Sequence, residues 1–237
     1  MRTTVDRGGL ASFQAWSRIS FYWTIKTVAW PVTRLYTRVR VSGTGNVPRK
    51  GTCIIVANHT SYADAVILGS ACPRRLNFMI TRPIYRLKRL RWFYYMMGSI
   101  PVGAEGADPA ALKQAIRVLK GRDAIAIFPE GQRMADGNPG AGKDGVALLA
   151  ARTGAPVIPA AIIGAHRVMP VGSAFPRPGV IRVVFGPPLV FPVVEGQRAT
   201  RDQMREFAGR VMQAIRELMH EPGRVYDGSD RVRTART

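Results

Sequence analysis

The sequence predicts an α/β fold, in which a mixed central sheet is flanked by helices and a pair of membrane-associating amphipathic helices stands at the N-terminus. Short apolar runs rich in β-branched residues alternate with helical stretches, which is typical of an α/β fold. Polar side chains directly follow two of these runs, at the position where open α/β sheets bind their ligands. Three tryptophans recur at a spacing of seven near the start of the chain.

The composition indicates one globular domain with an anionic partner. The chain has 237 residues, of which 46% are hydrophobic, so a full core is available. Lys and Arg number 35 against 15 Asp and Glu, which gives a net charge of +20. This balance predicts a nucleic acid, an anionic membrane or phosphorylated substrates as partners. Cys53 and Cys72 lack the spacing of metal ligands, so we expect reduced core thiols and no metal site.

The N-terminal segment has features of a membrane-surface helix. Residues 11–29 have a helical pattern, and Pro31 is expected to end this helix and to start a second short one. Trp16, Trp23 and Trp30 then share one stripe, because a spacing of seven returns to nearly the same helix face. A tryptophan stripe with basic flanks suits the headgroup region of a bilayer. The alternative is that the stripe packs on the protein's own core.

No apolar run reaches the ~18 residues that a spanning helix needs, and no secretory signal is visible. The expected location is therefore peripheral or monotopic, on the cytoplasmic face of the cell membrane. We expect three parts: membrane-associating helices over 1–39, an α/β domain over 40–220 and a disordered tail over 221–237.

Residues 74–91 contain seven Arg or Lys and no acid, with aromatic residues among and after them. Nucleic-acid binding uses such a mixture, through phosphate contacts and base stacking. Because no nucleic-acid-binding motif accompanies the segment, we expect no nucleic-acid partner. A basic amphipathic surface against lipid is the preferred interpretation, and a solvated basic face over ordinary core residues is the alternative.

The most informative motif is a turn over residues 58–64. It follows the apolar run 52–57, which is predicted to be a buried strand. His59 leaves the end of this strand, and Asp64, in the first turn of the next helix, can accept a hydrogen bond from one ring nitrogen. The other nitrogen is then free to take a proton, so this pair suits activation of a hydroxyl group on a substrate.

The same turn has a purely structural interpretation. Ser61 and Asp64 match the S/T-x-x-D capping box, in which Asp64 only satisfies backbone N–H groups at the helix start. Asn58 and Thr60 are interpreted as ordinary turn residues.

A second polar group follows the predicted strand 124–128. An arginine such as Arg133 can bind a phosphate with two hydrogen bonds, and Glu130 can orient it or bind a hydroxyl. The alternative is a surface ion pair in a turn. Residues 137–143 match the G-x-x-x-x-G-K phosphate-loop pattern, but Asp144 stands where Ser or Thr should hold magnesium, so we reject a nucleotide site. Lys143 is kept as a phosphate contact.

Taken together, the sequence motifs closely resemble those of the glycerolipid acyltransferase family. The resemblance rests on residues 58–64 and 128–133, with further similarity at 98–102 and 157–159, and it runs over about 38–188. It implies that His59, oriented by Asp64, deprotonates the free glycerol hydroxyl of 1-acyl-glycerol-3-phosphate. That hydroxyl would attack an acyl-CoA or acyl carrier protein thioester and give phosphatidic acid, without a metal or other cofactor.

The resemblance also implies that Glu130, Gly131 and Arg133 hold the phosphate of the acceptor. One departure is Ala104, which occupies the place where the family has an arginine. We expect Arg82 or Lys143 to replace the missing charge. Two alternatives stay open: an acyltransferase for a headgroup-bearing lysophospholipid such as lysophosphatidylethanolamine, and an inactive basic protein that binds lipid surfaces.

Overall fold

The computed structural model describes residues 7–103, 108–131, 133–134, 139–140, 142–170, 172–173, 175–192 and 198–220, with the backbone alone for 7–15. The helices are α1 (Arg7–Thr37), α2 (Asp64–Ala71), α3 (Arg82–Tyr85), α4 (Arg91–Met96), α5 (Pro109–Lys120), α6 (Gly145–Thr153), α7 (Ala165–Val168) and α8 (Arg201–His220). The strands are β1 (Arg40–Ser42), β2 (Cys53–Ala57), β3 (Asn77–Thr81), β4 (Ile100–Val102), β5 (Ala124–Ile127), β6 (Val157–Ile163) and β7 (Arg182–Phe185).

The strands form one seven-stranded sheet in the order β1-β7-β6-β2-β5-β3-β4. All neighbours pair in parallel except β6 and β7, which are antiparallel. The mixed α/β fold with a central sheet is therefore confirmed. Since β2 lies between β6 and β5 with the same direction, the turns that follow β2 and β5 emerge at one edge of the sheet, which positions the site described below.

Helices cover both faces of the sheet, so the core has two layers. Along β2, Ile55 faces a cluster that includes Leu68 of α2. Ile54 faces the opposite cluster, which includes Leu119 of α5 and Ile215 of α8. Successive strand residues point to opposite faces, and all five residues of β2 are buried, which explains its continuous apolar run.

The expected N-terminal pair of helices is instead one helix of 31 residues, α1, with Pro31 inside it. A proline removes one backbone N–H but does not prevent helical angles on either side. The Thr33 hydroxyl, two residues later, donates to the carbonyls of Ala29 and Trp30, so side-chain hydrogen bonds accompany the interruption. Among the described helices, none combines the length and apolarity that crossing a bilayer requires.

The sequence predicts a strand over 156–163 that Pro159 breaks, because a proline lacks the N–H for a ladder hydrogen bond, yet β6 runs through this residue. On this strand, the N–H of Val157 points away from β2, toward Leu189. Pro159 lies two residues further on and has the same orientation, so its missing N–H faces away from the ladder with β2. On the side away from β2, Gly186 donates its N–H to the Pro159 carbonyl, so Pro159 has to supply only an acceptor. The predicted disordered tail, residues 221–237, lies outside the described residues.

Candidate active site

Asn58 fixes the position at which the chain leaves β2. Its side chain is fully buried, donates to the carbonyl of Ile162 over 3.0 Å and accepts from the N–H of Ile162 over 2.7 Å. The amide thus continues the pairing of β2 with β6 by one step after Ala57. The interpretation of Asn58 as an ordinary turn residue was wrong, because its partner is distant in sequence and the bonds anchor the residue before His59.

His59 and Asp64 form the centre of the site. The Nδ1 atom of His59 lies 2.9 Å from Oδ2 of Asp64, which is fully buried, while the histidine side chain keeps 20% of its surface exposed. The same Oδ2 accepts from the N–H groups of Thr60 and Ser61, over 2.6 and 2.8 Å. Asp64 therefore serves the backbone of the turn and the imidazole together. Because a carboxylate only accepts, Nδ1 carries the proton and Nε2 is the basic nitrogen.

Phe128, the residue after β5, packs flat on the imidazole. The two ring centroids are 4.3 Å apart and the planes differ by 17°. Phe78 of β3 stacks next to Phe128, with ring centroids 6.3 Å apart. One face of His59 is thereby covered by an apolar ring, and the imidazole is held in one plane.

Glu130 connects the second motif, residues 128–133, to the first motif, residues 58–64. Its Oε2 accepts the backbone N–H of His59 over 2.9 Å, and its Oε1 accepts the N–H of Gly140 over 3.3 Å. The Met134 N–H, in turn, donates to the carbonyl of His59 over 2.8 Å. Burial raises the pKa of Glu130, although these N–H groups act in the opposite direction. Both carboxylate oxygens thus accept from backbone N–H groups, so Glu130 fixes the position of the His59 backbone.

The guanidinium of Arg133 packs over the ring of Tyr62. Its guanidinium carbon lies 3.7 Å from the ring centroid, and its Nη2 lies 3.0 Å from the tyrosine hydroxyl, to which it donates. The Nε of Arg133 is buried and has no hydrogen-bond acceptor within the described part of the chain. The guanidinium therefore lies beside the His59 turn.

Lys143 lies against the turn at Gly131. Gly131 has a left-handed φ of 70°, and a Cβ atom added there would be 2.9 Å from the Lys143 Nζ. The backbone N–H of Lys143 donates to the Pro129 carbonyl over 3.0 Å, which holds this residue near the second motif. Much of the loop before it, including residues 135–138, lies outside the described residues.

Arg82, the other expected cation, has a different partner. It pairs with Asp108 over 2.7 Å, at the end of β3, two strands away from β2. Asp108 also accepts from the N–H groups of Ala111 and Gly103, and these bonds lower its pKa. Arg82 is therefore held at the start of α5. Ala104, where the family has an arginine, lies outside the described residues.

Two side chains of the site were missed by the sequence analysis, Tyr62 and Phe128. Each has a weak signal in the sequence: Tyr62 lies inside the motif between His59 and Asp64, and Phe128 is the last apolar residue before the second motif. Aromatic residues at the ends of strands are common in cores, so position alone did not separate them from packing residues.

The fold and the site define a class of α/β proteins in which an oriented histidine and a cationic loop share one edge of a largely parallel sheet. The chain belongs to the Acyltransferase family, whose model matches residues 38–163. A 1-acyl-sn-glycerol-3-phosphate acyltransferase of Bacillus subtilis is 27% identical over 152 residues, which cover 64% of this chain and 73% of the relative.

A chloroplastic 1-acyl-sn-glycerol-3-phosphate acyltransferase of Brassica napus is 31% identical over 180 residues, which cover 73% of this chain. The match spans 48% of that relative, so the chain corresponds to about half of it. The crystal structure of the 1-acyl-sn-glycerophosphate acyltransferase PlsC from Thermotoga maritima has a similar fold, with a TM-score of 0.69. At 24% identity, it covers 89% of this chain and 88% of its own.

Proposed function

We propose that this protein is a membrane-surface O-acyltransferase, which transfers a fatty acyl group from a thioester to the free hydroxyl of 1-acyl-glycerol-3-phosphate and yields phosphatidic acid. The main support is the 2.9 Å contact between His59 and the buried Asp64, next to a loop that carries Arg133. The names of the relatives from Bacillus subtilis and Brassica napus agree with this substrate.

In the proposed reaction, the Nε2 atom of His59 removes the proton of the acceptor hydroxyl as the oxygen attacks the thioester carbonyl. Asp64 stabilises the imidazolium that forms and keeps the ring in place. The carbon–sulfur bond then breaks, and the thiolate leaves with the proton that His59 returns. The products are the new oxygen ester and a free thiol, so no covalent bond to the protein is needed.

The cations in and near residues 128–133 suit the phosphate of the acceptor. Arg133 can offer paired N–H groups to two phosphate oxygens, and Lys143 can add a second positive charge from the side of Gly131. Glu130 would act on this site indirectly, by holding the backbone of His59. The donor is an acyl-CoA or an acyl carrier protein thioester, and the mechanism requires neither a metal ion nor another cofactor.

A lipid surface is proposed as the place of reaction, because exposed aromatic side chains extend over α1 and α4. Trp16 is 71% exposed and Trp92 is 59% exposed. Phe21 joins the two helices, with ring centroids 5.8 Å from Trp92 and 6.1 Å from Phe93. Tryptophan side chains favour the headgroup region, so this surface suits a peripheral or monotopic position on the cytoplasmic face.

Exposed basic side chains follow α3 and surround the start of α4: Arg86, Lys88, Arg89 and Arg91. They would attract an anionic membrane through its surface potential. Sedimentation with vesicles should show binding that rises with the fraction of anionic lipid and falls with salt. A Trp16→Ser, Trp92→Ser double variant should sediment less at every lipid composition, and undiminished sedimentation would contradict the proposed surface.

The reaction is tested by thiol release with purified protein, an acyl-CoA and 1-acyl-glycerol-3-phosphate. Wild type should release one thiol for each phosphatidic acid formed, and His59→Ala should lower the rate at least about a thousandfold while vesicle binding persists. Tenfold or smaller losses in His59→Ala would contradict a base role. Vesicle binding by wild type without any thiol release would favour the alternative of an inactive lipid-surface protein.

One observation favours a second candidate acceptor. Arg82, which could have replaced the missing arginine at Ala104, is paired with Asp108 over 2.7 Å. A site with fewer cations suits a phosphodiester, which carries less charge than a phosphomonoester. A panel that compares 1-acyl-glycerol-3-phosphate with lysophosphatidylethanolamine decides between them, because the correct acceptor should have the higher kcat/KM.

A further inference from the structure

Tyr62 has a position that packing does not explain. It lies in the turn between His59 and Asp64, and 49% of its side chain is exposed. Its most specific contact is with Arg133, whose guanidinium carbon is 3.7 Å from the ring centroid. The tyrosine hydroxyl also accepts from Nη2 of Arg133 over 3.0 Å. The two residues are 71 positions apart in sequence, so this contact joins the two motifs.

The chemistry of this contact leaves the positive charge of Arg133 available. A carboxylate partner would neutralise the guanidinium, and among the described residues no such ion pair of Arg133 is present. An aromatic face instead attracts a cation and contributes no negative charge. A guanidinium that lies over a ring still directs N–H groups outward from its edge, where an anion can accept them.

The Nε atom of Arg133 gives a second indication of a ligand beside the guanidinium. This atom is buried and has no acceptor in the described residues, although buried donors are nearly always hydrogen-bonded. A phosphate oxygen bound at the edge of the guanidinium would supply that acceptor.

The turn also sets the distance between the base and the cation. His59 and Tyr62 are three residues apart on the turn that Asp64 closes by its bonds to the N–H groups of Thr60 and Ser61. The Met134 N–H, next to Arg133, donates to the carbonyl of His59. A rigid spacing between base and guanidinium would select, for one glycerol unit, the conformers in which the hydroxyl and the phosphate have the matching short separation.

We propose that Tyr62 is a positioning residue, which holds the guanidinium of Arg133 at the place where the phosphate of the acceptor binds. This inference rests on the proposed function and adds to it a determinant of acceptor affinity. Tyr62 does not touch the reacting atoms, so its effect should appear in the binding of the acceptor and not in the chemical step.

The test compares Tyr62→Leu with Tyr62→Phe, which keeps the aromatic face and removes only the hydroxyl. For 1-acyl-glycerol-3-phosphate, we expect Tyr62→Leu to raise KM about tenfold with kcat within about twofold of wild type. Tyr62→Phe should stay within about threefold of wild type in KM. An unchanged KM in Tyr62→Leu, or a loss confined to kcat, would overturn the inference.

A second measurement does not depend on turnover. Phenylglyoxal modifies arginine side chains, and peptide mapping reports the rate at Arg133. Glycerol 3-phosphate should slow this modification in wild type and in Tyr62→Phe. In Tyr62→Leu, the factor by which it slows the modification should be at least threefold smaller. If wild type and Tyr62→Phe are protected, Tyr62→Leu is protected at least threefold less, and wild type transfers no acyl group, the proposed reaction fails while the role of Tyr62 stands. Equal protection in all three proteins, or none in wild type, would overturn that role.

Discussion

The imidazole of His59 lies flat against the phenyl ring of Phe128, with centroids 4.3 Å apart. The contact joins the ends of two neighbouring parallel strands, β2 and β5. Asp64 fixes the ring through an edge nitrogen, and Phe128 fixes it through one face. The two constraints are complementary, since a hydrogen bond alone leaves the ring free to tilt about the bond axis.

Replacing Phe128 with leucine should lower turnover and leave binding of the acceptor largely intact. Leucine keeps apolar volume but cannot cover the imidazole with a flat surface, so the base would spend less time in the reactive orientation. We expect kcat to fall about tenfold and KM for 1-acyl-glycerol-3-phosphate to change less than threefold. Steady-state kinetics with purified protein measure both.

Phe191→Leu is the matched control for this variant. Phe191 is buried in the cluster on the opposite face, where its ring centroid is 5.1 Å from that of Phe207. Both replacements should lower the free energy of unfolding by about 1 to 2 kcal/mol. A loss of kcat in Phe191→Leu as large as in Phe128→Leu would mean that stability, and not stacking, limits turnover.

The sequence predicted those features that depend on neighbours along the chain. The strands were recognisable because β-branched apolar runs make buried strands, and the contact between His59 and Asp64 spans only five residues. The contacts that complete the site join distant positions: Asn58 with Ile162, His59 with Glu130, and Tyr62 with Arg133. They follow from β2 lying beside β5 and β6, an order that the residue pattern does not specify.

The two misjudged prolines have a related explanation. A proline's effect depends on where its missing N–H would have pointed. At Pro159 the missing N–H would have faced the segment around Gly186. That segment donates an N–H to the Pro159 carbonyl and needs no donor in return, so the strand continues. Pro31 lies within α1, where its neighbours keep helical geometry. The direction at Pro159 depends on the order of the strands, which the local sequence does not give.

Gly131→Ala should weaken acceptor binding as well as the fold. Gly131 has a φ of 70°, and a new methyl group would be 2.9 Å from the Nζ of Lys143. The left-handed backbone costs about 1 kcal/mol or more with alanine, and the flexible lysine end would move away. We expect KM for 1-acyl-glycerol-3-phosphate to rise about fivefold if Lys143 contacts the phosphate.

Gly154→Ala separates these two effects. Gly154 has a φ of 65°, ends α6 and has no atom within 4 Å of an added Cβ. Urea denaturation should give similar losses of unfolding free energy for both glycine variants, whereas only Gly131→Ala should change KM. If Gly131→Ala binds the acceptor like wild type, Lys143 does not belong to the phosphate site.

The two cysteines should not react in the folded protein. Burial raises the pKa of Cys53 to about 11 and also raises that of Cys72, so little thiolate forms near neutral pH. Ellman's reagent should detect almost no protein thiol under native conditions and both thiols in denaturant. Thiol release from acyl-CoA can then be followed without interference. Fast reaction of Cys72 in the native protein would indicate that the end of α2 opens readily.

Glu130 should make stability depend on pH in the direction opposite to a salt-bridged carboxylate. Burial raises its pKa above the ordinary value of 4.5, so the folded state holds this proton at pH values where the unfolded chain has released it. As the pH rises through the interval above 4.5, folding requires Glu130 to take up a proton that becomes scarcer, and at still higher pH it requires an ionised carboxylate to be buried. The contribution of Glu130 to the free energy of unfolding is therefore largest below this interval and declines across it.

Glu130→Gln isolates this contribution, because glutamine does not titrate. The free energy of unfolding of wild type minus that of the variant should fall with rising pH and level off once Glu130 is ionised in the folded state. Urea denaturation of both proteins between about pH 4 and pH 8 measures this difference. A difference that rises with pH would mean that the N–H groups of His59 and Gly140 stabilise the carboxylate more strongly than burial destabilises it.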